Sequence, residues 1–350
     1  MKIFCDLHHE DLFYSLQLLF EKRMGAEVYR PIGLEWYEQK YWAIYPHVST
    51  ARQYLDMSSV PPLNVHGVPV TEEHGDGAWI NKGNFISSDG IFIVPDKQHL
   101  NGIPHRAITL ERFKETKFDV LLCSIPAHLS IWKELQRLYQ PQAKIVFQAG
   151  NDWGFIDCKN LLTSSKKTTN RGHQIHYHQE FDTSVFKPGD TKNKTSIVNL
   201  QHLTSSAGQL LQLERLLPDW DIKIYGAGNR NGSRESQLLS STLREAGFLW
   251  HVKAGGDGYG YNIHQAVASG TPLIVDSQWI NGTTAESLCK WGVTAVDIRG
   301  KGFDTIKDEL MGMVNRYDEI TAATTQHFAE VVNFDQEYLQ IKHFMENLVE

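Results

Sequence analysis

Lys253-Ala254-Gly255-Gly256-Asp257-Gly258-Tyr259-Gly260-Tyr261-Asn262-Ile263-His264-Gln265-Ala266-Val267-Ala268-Ser269-Gly270-Thr271-Pro272 carries the clearest fold signal in the chain. Its glycines lie between an apolar run, Leu249 to Val252, with the look of a strand, and a helical pattern from Tyr261 to Ser269. Glycines at such a junction let the backbone approach a ligand closely. The helix behind them presents amide groups and a positive dipole end, a pocket that suits a diphosphate. Gly270 closes the helix and Thr271-Pro272 launches the next strand. Asp257 and Gln265 are thereby brought onto one loop–helix element. In open α/β sheets ligands bind at crevices of this kind, beyond the C-terminal ends of the strands.

Working outward, the same alternation continues on both sides. Thr195 to Leu200 reads as a strand, Gln209 to Leu217 as a helix, Asp221 to Tyr225 as a strand, Gly226-Ala227-Gly228-Asn229 as a glycine turn, and Glu235 to Ala246 as a helix. Phe303 to Val314 and Phe334 to Leu348 follow as amphipathic helices. The N-terminal half carries its own series. Lys2 to Asp6 (strand), Glu10 to Met24 (helix, ended by Gly25) and Ala26 to Tyr29 (strand) form a crossover unit, as do Phe118 to Cys123, His128 to Tyr139 and Ala143 to Ala149. The expectation is an α/β chain with two Rossmann-like sheets in tandem. One domain is expected over 1–180 and a second over 181–325, followed by a C-terminal helix over 326–350.

Two stretches break the pattern. Trp36 to His105 is rich in Pro, Gly, Asn and His, and is expected to be loops and short strands that recognise the acceptor. Ser164 to His178 is polar and locally basic, with Lys166, Lys167 and Arg171, and reads as a linker or exposed loop. The close spacing of His173, His176 and His178 suits a metal, but without a nearby Cys or a fixed carboxylate geometry a solvated loop is expected.

Composition narrows the function classes. The 350 residues suffice for two cores, and 41% hydrophobic with 21% charged residues is ordinary globular usage. The longest apolar runs fall far short of the roughly 20 residues of a membrane-spanning helix. An acidic residue and histidines interrupt the N-terminal apolar stretch too early for a signal peptide, so a cytoplasmic protein is expected. Cys5, Cys123, Cys158 and Cys289 are scattered without a Cys-x-x-Cys pair, which argues against a disulfide framework and a structural zinc. A net charge of −7 gives no footprint for general nucleic-acid binding.

The glycine stretch resembles the retaining GT-B glycosyltransferases of the family 4, or group 1, type. Their signature is a glutamate, a Gly-aromatic-Gly step, a second glutamate eight positions after the first, and then Ala-x-Ala-x-Gly-x-Pro-x-Ile. Here Asp257 stands in the first acidic position, Gly258-Tyr259-Gly260 forms the step and Gln265 occupies the second acidic position. Ala266 to Ile274 matches the downstream run. Glu180-Phe181-Asp182, Phe186-Lys187-Pro188 and Ile222 to Gly228 match the family's entry into its nucleotide domain and its strand ending in Gly-x-Gly. The resemblance implies a GT-B fold, two Rossmann-like domains facing across a cleft. It also implies a first carboxylate beside the donor sugar, a second group on the ribose, which Gln265 can still hydrogen-bond, and backbone amides on the diphosphate. The family's diphosphate Arg and Lys are missing from Gln201-His202-Leu203-Thr204-Ser205-Ser206, so His202, Arg230 and Lys253 are the candidate replacements. His8-His9 stands where the family has a glycine-rich first loop.

The resemblance makes 1–180 the acceptor-side domain, 181–325 the nucleotide-sugar domain with 326–350 returning to the first, and Asp257 a candidate catalytic residue. His8 and His9, at the end of the first strand, are candidate acceptor-side catalytic residues or a polar strand end, and His128, opening a helix after a strand, is a candidate for contact with the donor sugar or a helix-capping or core histidine. Gly226, Gly228, Arg230, His202, Lys253, Gly256, Gly258, Tyr259, Gly260, Tyr261 and Gln265 are the candidate donor-binding residues. The expected reaction moves a hexose from a nucleoside diphosphate sugar, UDP-linked, to an acceptor hydroxyl of a glycan, a small molecule or modified DNA. It is expected to retain the anomeric configuration and to need neither metal nor cofactor, in a chain that is a monomer or homodimer. Two alternatives stay open: a virus-type glucosyltransferase acting on hydroxymethylated DNA bases, and a non-catalytic sugar- or nucleotide-binding protein.

Overall fold

The computed structural model describes residues 1–6, 10–31, 36, 86–88, 90–94, 96, 99–200, 207–226, 229–232 and 238–349. These fall into two compact units: Met1–Thr163 with Thr168–Glu180 and Tyr338–Glu350, and Ser164–Lys167 with Phe181–Glu337.

Unit 1 is built on β1 (Lys2–Cys5), β2 (Glu27–Pro31), β3 (Ile86–Ser88), β4 (Ile91–Val94), β5 (His105–Ile108), β6 (Val120–Cys123), β7 (Lys144–Ala149), β8 (Asn160–Thr163) and β9 (His173–His176). They form one sheet in the order β3-β4-β5-β2-β1-β6-β7-β8-β9. Its pairs are parallel except those of β4 with β3 and β5. The central strand β1 is apolar on both faces, as a parallel strand covered on both sides must be. Phe4 packs with Phe113, Trp132 and Phe147. Ile3 and Cys5 point the other way, towards Phe13, Phe20 and Phe344. The first face is covered by α2 (Leu110–Glu115) and α3 (Leu129–Tyr139). The second is covered by α1 (Glu10–Leu16), its π-helical continuation Gln17–Arg23, and the end of the C-terminal helix.

The histidine-rich stretch expected to be an exposed loop is in part a strand. His173–His176 pairs in parallel with Asn160–Thr163 and forms the sheet edge. Its exposed and half-buried residues alternate, which suits an edge strand with one face against the unit, and so polar a strand leaves no apolar run in the sequence. Ser164–Lys167, from the same stretch, groups with unit 2.

Unit 2 holds β10 (Asn193–Asn199), β11 (Asp221–Ile224), β12 (Ala246–His251), β13 (Leu273–Val275) and β14 (Ala295–Asp297), all parallel, in the order β11-β10-β12-β13-β14. Its helices are α4 (Ala207–Leu216), α5 (Leu239–Glu245), α6 (Tyr261–Ala268), α7 (Ser277–Ile280), α8 (Phe303–Val314) and α9 (Tyr317–Val331). The final helix, α10 (Phe334–Glu346), begins in unit 2 and ends in unit 1. The sheet order reverses at β10: α4 leads from β10 to β11 on one side, and the chain then returns to β12 on the other. That switch point is where the sheet opens a crevice beyond its strand ends. Each unit is thus an α/β Rossmann-like layer structure. Among the described residues no helix is long and apolar enough to cross a membrane.

Candidate functional site

The glycine-rich stretch leaves β12 at this switch point. Lys253, Gly255 and Gly256 make the first turn, with Gly256 N–H donating to the Lys253 carbonyl. Gly255 (φ +84°) and Gly256 (φ +72°) both have the left-handed backbone that side chains disfavour. A Cβ on Gly256 would stand 2.6 Å from the carbonyl oxygen of Trp279, so that position also needs glycine for space. Gly260, again left-handed at φ +77°, is the N-cap of α6. Gly258 is buried between them.

Asp257 sits in this turn with two cationic or donor partners. One oxygen lies 3.0 Å from Nε2 of His251, the last residue of β12. The other accepts from the Lys253 ammonium. Burial alone would raise the Asp257 carboxyl, but the hydrogen bonds and charges of His251 and Lys253 outweigh it and hold the group far below the usual carboxylate range. Asp257 is therefore a fixed negative charge at neutral pH. His251 is 5% exposed and Lys253 47%, so the cluster runs from the sheet end to the surface.

Two aromatic rings brace the turn. Tyr259 is buried and stacks on His264 with centroids 3.9 Å apart, while the His264 Nδ1 lies 3.0 Å from the Gly260 carbonyl. Tyr261 meets Phe181 edge-on, at 6.0 Å. One helical turn further on, Gln265 is 3% exposed, and its Oε1 is buried without a hydrogen-bond partner among the described residues. A buried amide oxygen left in that state costs roughly 1–3 kcal/mol, so it is a group that a ligand donor would satisfy.

Lys253, Asp257, Gln265 and the glycines between them are thus brought together in one element. Gly226 (φ +123°) and Arg230 are placed apart from it, in the turn after β11, on the far side of β10. Arg230 is engaged there: its Nη2 lies 2.6 Å from a Glu214 oxygen and donates to the Ile222 carbonyl. His8, His9, His202 and Gly228 lie outside the described residues. His128 belongs to unit 1, where its Nδ1 stands 3.1 Å from Asp6. Asp6 and His251 are polar contributors that the sequence reading passed over. Both stand at or just after the C-terminal end of a buried apolar strand, and that placement was the available signal. Among the described residues no group of three or more His, Cys, Asp or Glu side chains is placed to hold a metal.

No family model matches the sequence, and no curated protein matches it. Solved structures do. HepE of Anabaena, in complex with UDP and glucose, aligns over 99% of both chains at 10% identity with a TM-score of 0.58. The shared feature is the fold. An alpha-glucosyltransferase in complex with UDP-glucose and DNA containing an abasic site aligns with 69% of this chain and 86% of its own, at 10% identity and a TM-score of 0.50. The crystal structure of TarM gives 0.48 at 10% identity over 68% of this chain, which spans 57% of that one. The two Rossmann-like units expected of a GT-B chain are accordingly present.

Proposed function

We propose that this protein is a glycosyltransferase that moves a hexose from a nucleoside diphosphate sugar, UDP-linked, to an acceptor hydroxyl. The observation that carries the proposal is the Gly255–Gly260 turn at the switch point, which holds the charged Asp257–Lys253–His251 cluster and leads into α6, where the buried Gln265 Oε1 has no hydrogen-bond partner among the described residues. The amides at the start of α6 and the Lys253 ammonium provide for the diphosphate, whose charge grows as the sugar leaves. Asp257 provides negative charge for an oxocarbenium-like sugar, and Gln265 a hydrogen bond to a ribose hydroxyl. HepE, solved with UDP and glucose and with UDP-glucose, supports UDP-glucose as the first donor to try. Retention at the anomeric carbon, drawn from the motif resemblance, and independence of metal, drawn from the lack of an Asp-x-Asp placed after a strand to chelate a diphosphate-bound cation, are the finer parts of the proposal. Modified DNA remains an acceptor class to test alongside glycans and small molecules. Exposed Trp153 and Phe155, with the Arg171 guanidinium 5.4 Å over the Phe155 ring, are the surface that favours it.

The experiment is UDP release from UDP-glucose, with and without EDTA, by the parent and by Asp257→Ala. The parent is expected to turn over in both buffers. The variant is expected to be slower by about tenfold or more, roughly 1.4 kcal/mol of transition-state stabilisation, with the fold retained at a lower melting temperature, because the bonds from His251 and Lys253 are lost. Equal rates would remove Asp257 from the mechanism. Binding of UDP without any turnover would favour the non-catalytic reading.

A further inference from the structure

Two connections between parallel strands of unit 1 run without a helix. β7 passes to β8 through 150–159 and β8 to β9 through 164–172, where such a crossover is ordinarily helical. The parts of these connections that belong to unit 1 are tied to each other instead. The Trp153 N–H donates to the Thr168 hydroxyl at 3.0 Å, and that hydroxyl donates to the Asn151 carbonyl at 2.9 Å. Phe155 forms a parallel bridge with Thr169, closed by the Thr169 N–H on the Gly154 carbonyl at 3.0 Å and the Ile156 N–H on the Thr169 carbonyl at 2.8 Å. Thr168 and Ile156 are buried and anchor this layer, yet Trp153 is 40% exposed and Phe155 54%. Single exposed apolar side chains are ordinary. Two large rings separated by one glycine, on a backbone already fixed by hydrogen bonds, make a surface that a ligand meets at little ordering cost.

The charges beside the rings narrow the ligand. The Arg171 guanidinium stands 5.4 Å over the Phe155 ring. Lys159 adjoins the same segment, its carbonyl accepting from the Asn170 amide at 3.3 Å and the His173 N–H at 2.8 Å. Both cations are exposed, and neither has a carboxylate partner among the described residues. Of the two acids in 150–159, Asp152 and Asp157, the second lies 3.4 Å from Lys133, which offsets its charge. A neutral sugar would use the rings and leave Arg171 and Lys159 idle. A nucleic acid uses all four, with bases on the ring faces and phosphates on the cations. Paired bases keep their faces covered, so the fit is to an unpaired strand.

We propose that Trp153 and Phe155, with Arg171 and Lys159, form a surface of unit 1 that binds single-stranded nucleic acid by stacking its bases. Within the glycosyl-transfer reading this is the surface for a DNA acceptor. The binding itself needs neither donor nor turnover, so it can fail while that reading stands.

The test is the fluorescence anisotropy of a short labelled oligothymidylate titrated with the full chain over a range of salt. The parent should bind it, and a duplex of the same length should bind about tenfold more weakly or worse. Trp153→Ala and Phe155→Ala should each raise the dissociation constant about tenfold, while Trp153→Phe, which keeps a ring, should stay within about threefold of the parent. Lys159→Ala and Arg171→Ala should each reduce the slope of log Kd against log salt by about 0.7, one phosphate contact on a single strand. These two variants carry the test should an aromatic variant melt early. Absence of binding in low salt overturns the proposal. So does binding that the alanine variants at 153 and 155 leave intact, a salt slope unchanged in both charge variants, or a duplex bound as tightly as the single strand. Maltoheptaose bound by the parent and lost in Trp153→Ala, with oligothymidylate unbound, overturns it in favour of a neutral sugar.

Discussion

Lys253 and Arg230 are the two described cations that the sequence offers for a diphosphate, and their surroundings separate them. Lys253 shares one element with Asp257 and the glycine turn and is half exposed. Arg230, paired with Glu214 on α4 much as Lys253 is with Asp257, stands in the turn after β11, on the far side of β10 from the glycine turn. Lys253→Ala is therefore expected to raise the dissociation constant for UDP about tenfold or more, roughly 1.4 kcal/mol, and Arg230→Ala to change it little. Calorimetric titration of the two variants reads this directly, and the reverse order would move the diphosphate to the β11 side of the sheet. Asp257 needs no tuning across the neutral range, because its partners hold it ionised well below it.

The turn–helix element shows what adjacent glycines do differently. Gly255 and Gly256 are both left-handed, yet a Cβ on Gly255 meets nothing within 4 Å while one on Gly256 runs into the Trp279 carbonyl. Valine at 255 should cost about 1–2 kcal/mol of conformational strain. Valine at 256 should cost that and the clash as well, so its unfolding midpoint in urea should be distinctly lower; equal midpoints would mean the turn rearranges freely. This element was legible in the sequence because its signals are local: glycine spacing, a helical period over Tyr261 to Ala268, and a strand on either side. Strand β12 was legible in kind but begins at Ala246, three residues earlier than its apolar core suggested. Gly247 lets it cross the Asn193 and Ser196 carbonyls, which a Cβ would approach to 2.6 and 2.8 Å. The Asp6–His128 pair was not legible, since the partners are 122 positions apart and meet only because β1 and β6 are neighbours. Arg230's commitment to Glu214 was hidden for the same reason: the acceptor lies on a helix that the turn meets only once folded.

Across the whole molecule, stability against pH should be set in part by a histidine far from the glycine turn in sequence. His99 lies between two carboxylates, its Nδ1 2.7 Å from Asp96 and its Nε2 3.1 Å from Asp11. Tyr14 stacks on its ring at 4.1 Å. Burial works against the charged form, but the hydrogen bonds to Asp11 and Asp96 prevail and lift His99 from 6.5 to about 9. The folded chain thus holds this proton more tightly than the unfolded one. The resulting stability, on the order of a few kcal/mol, is complete below about pH 6.5 and is lost as pH rises through about 9. Urea unfolding at about pH 6 and about pH 10 should show the parent losing more stability than His99→Gln. Matching losses would mean the two carboxylates do not hold a charged ring.

The switch point of the second sheet is where we place the nucleoside diphosphate. The most direct measurement is the electron density of the protein crystallised with UDP. A diphosphate is expected against the backbone of Gly256 to Gly260, with the Lys253 ammonium beside it and Gln265 within hydrogen-bond reach of the ribose. UDP bound elsewhere, on the Arg230 side of β10 or within the first unit, with the glycine turn bare, would contradict it.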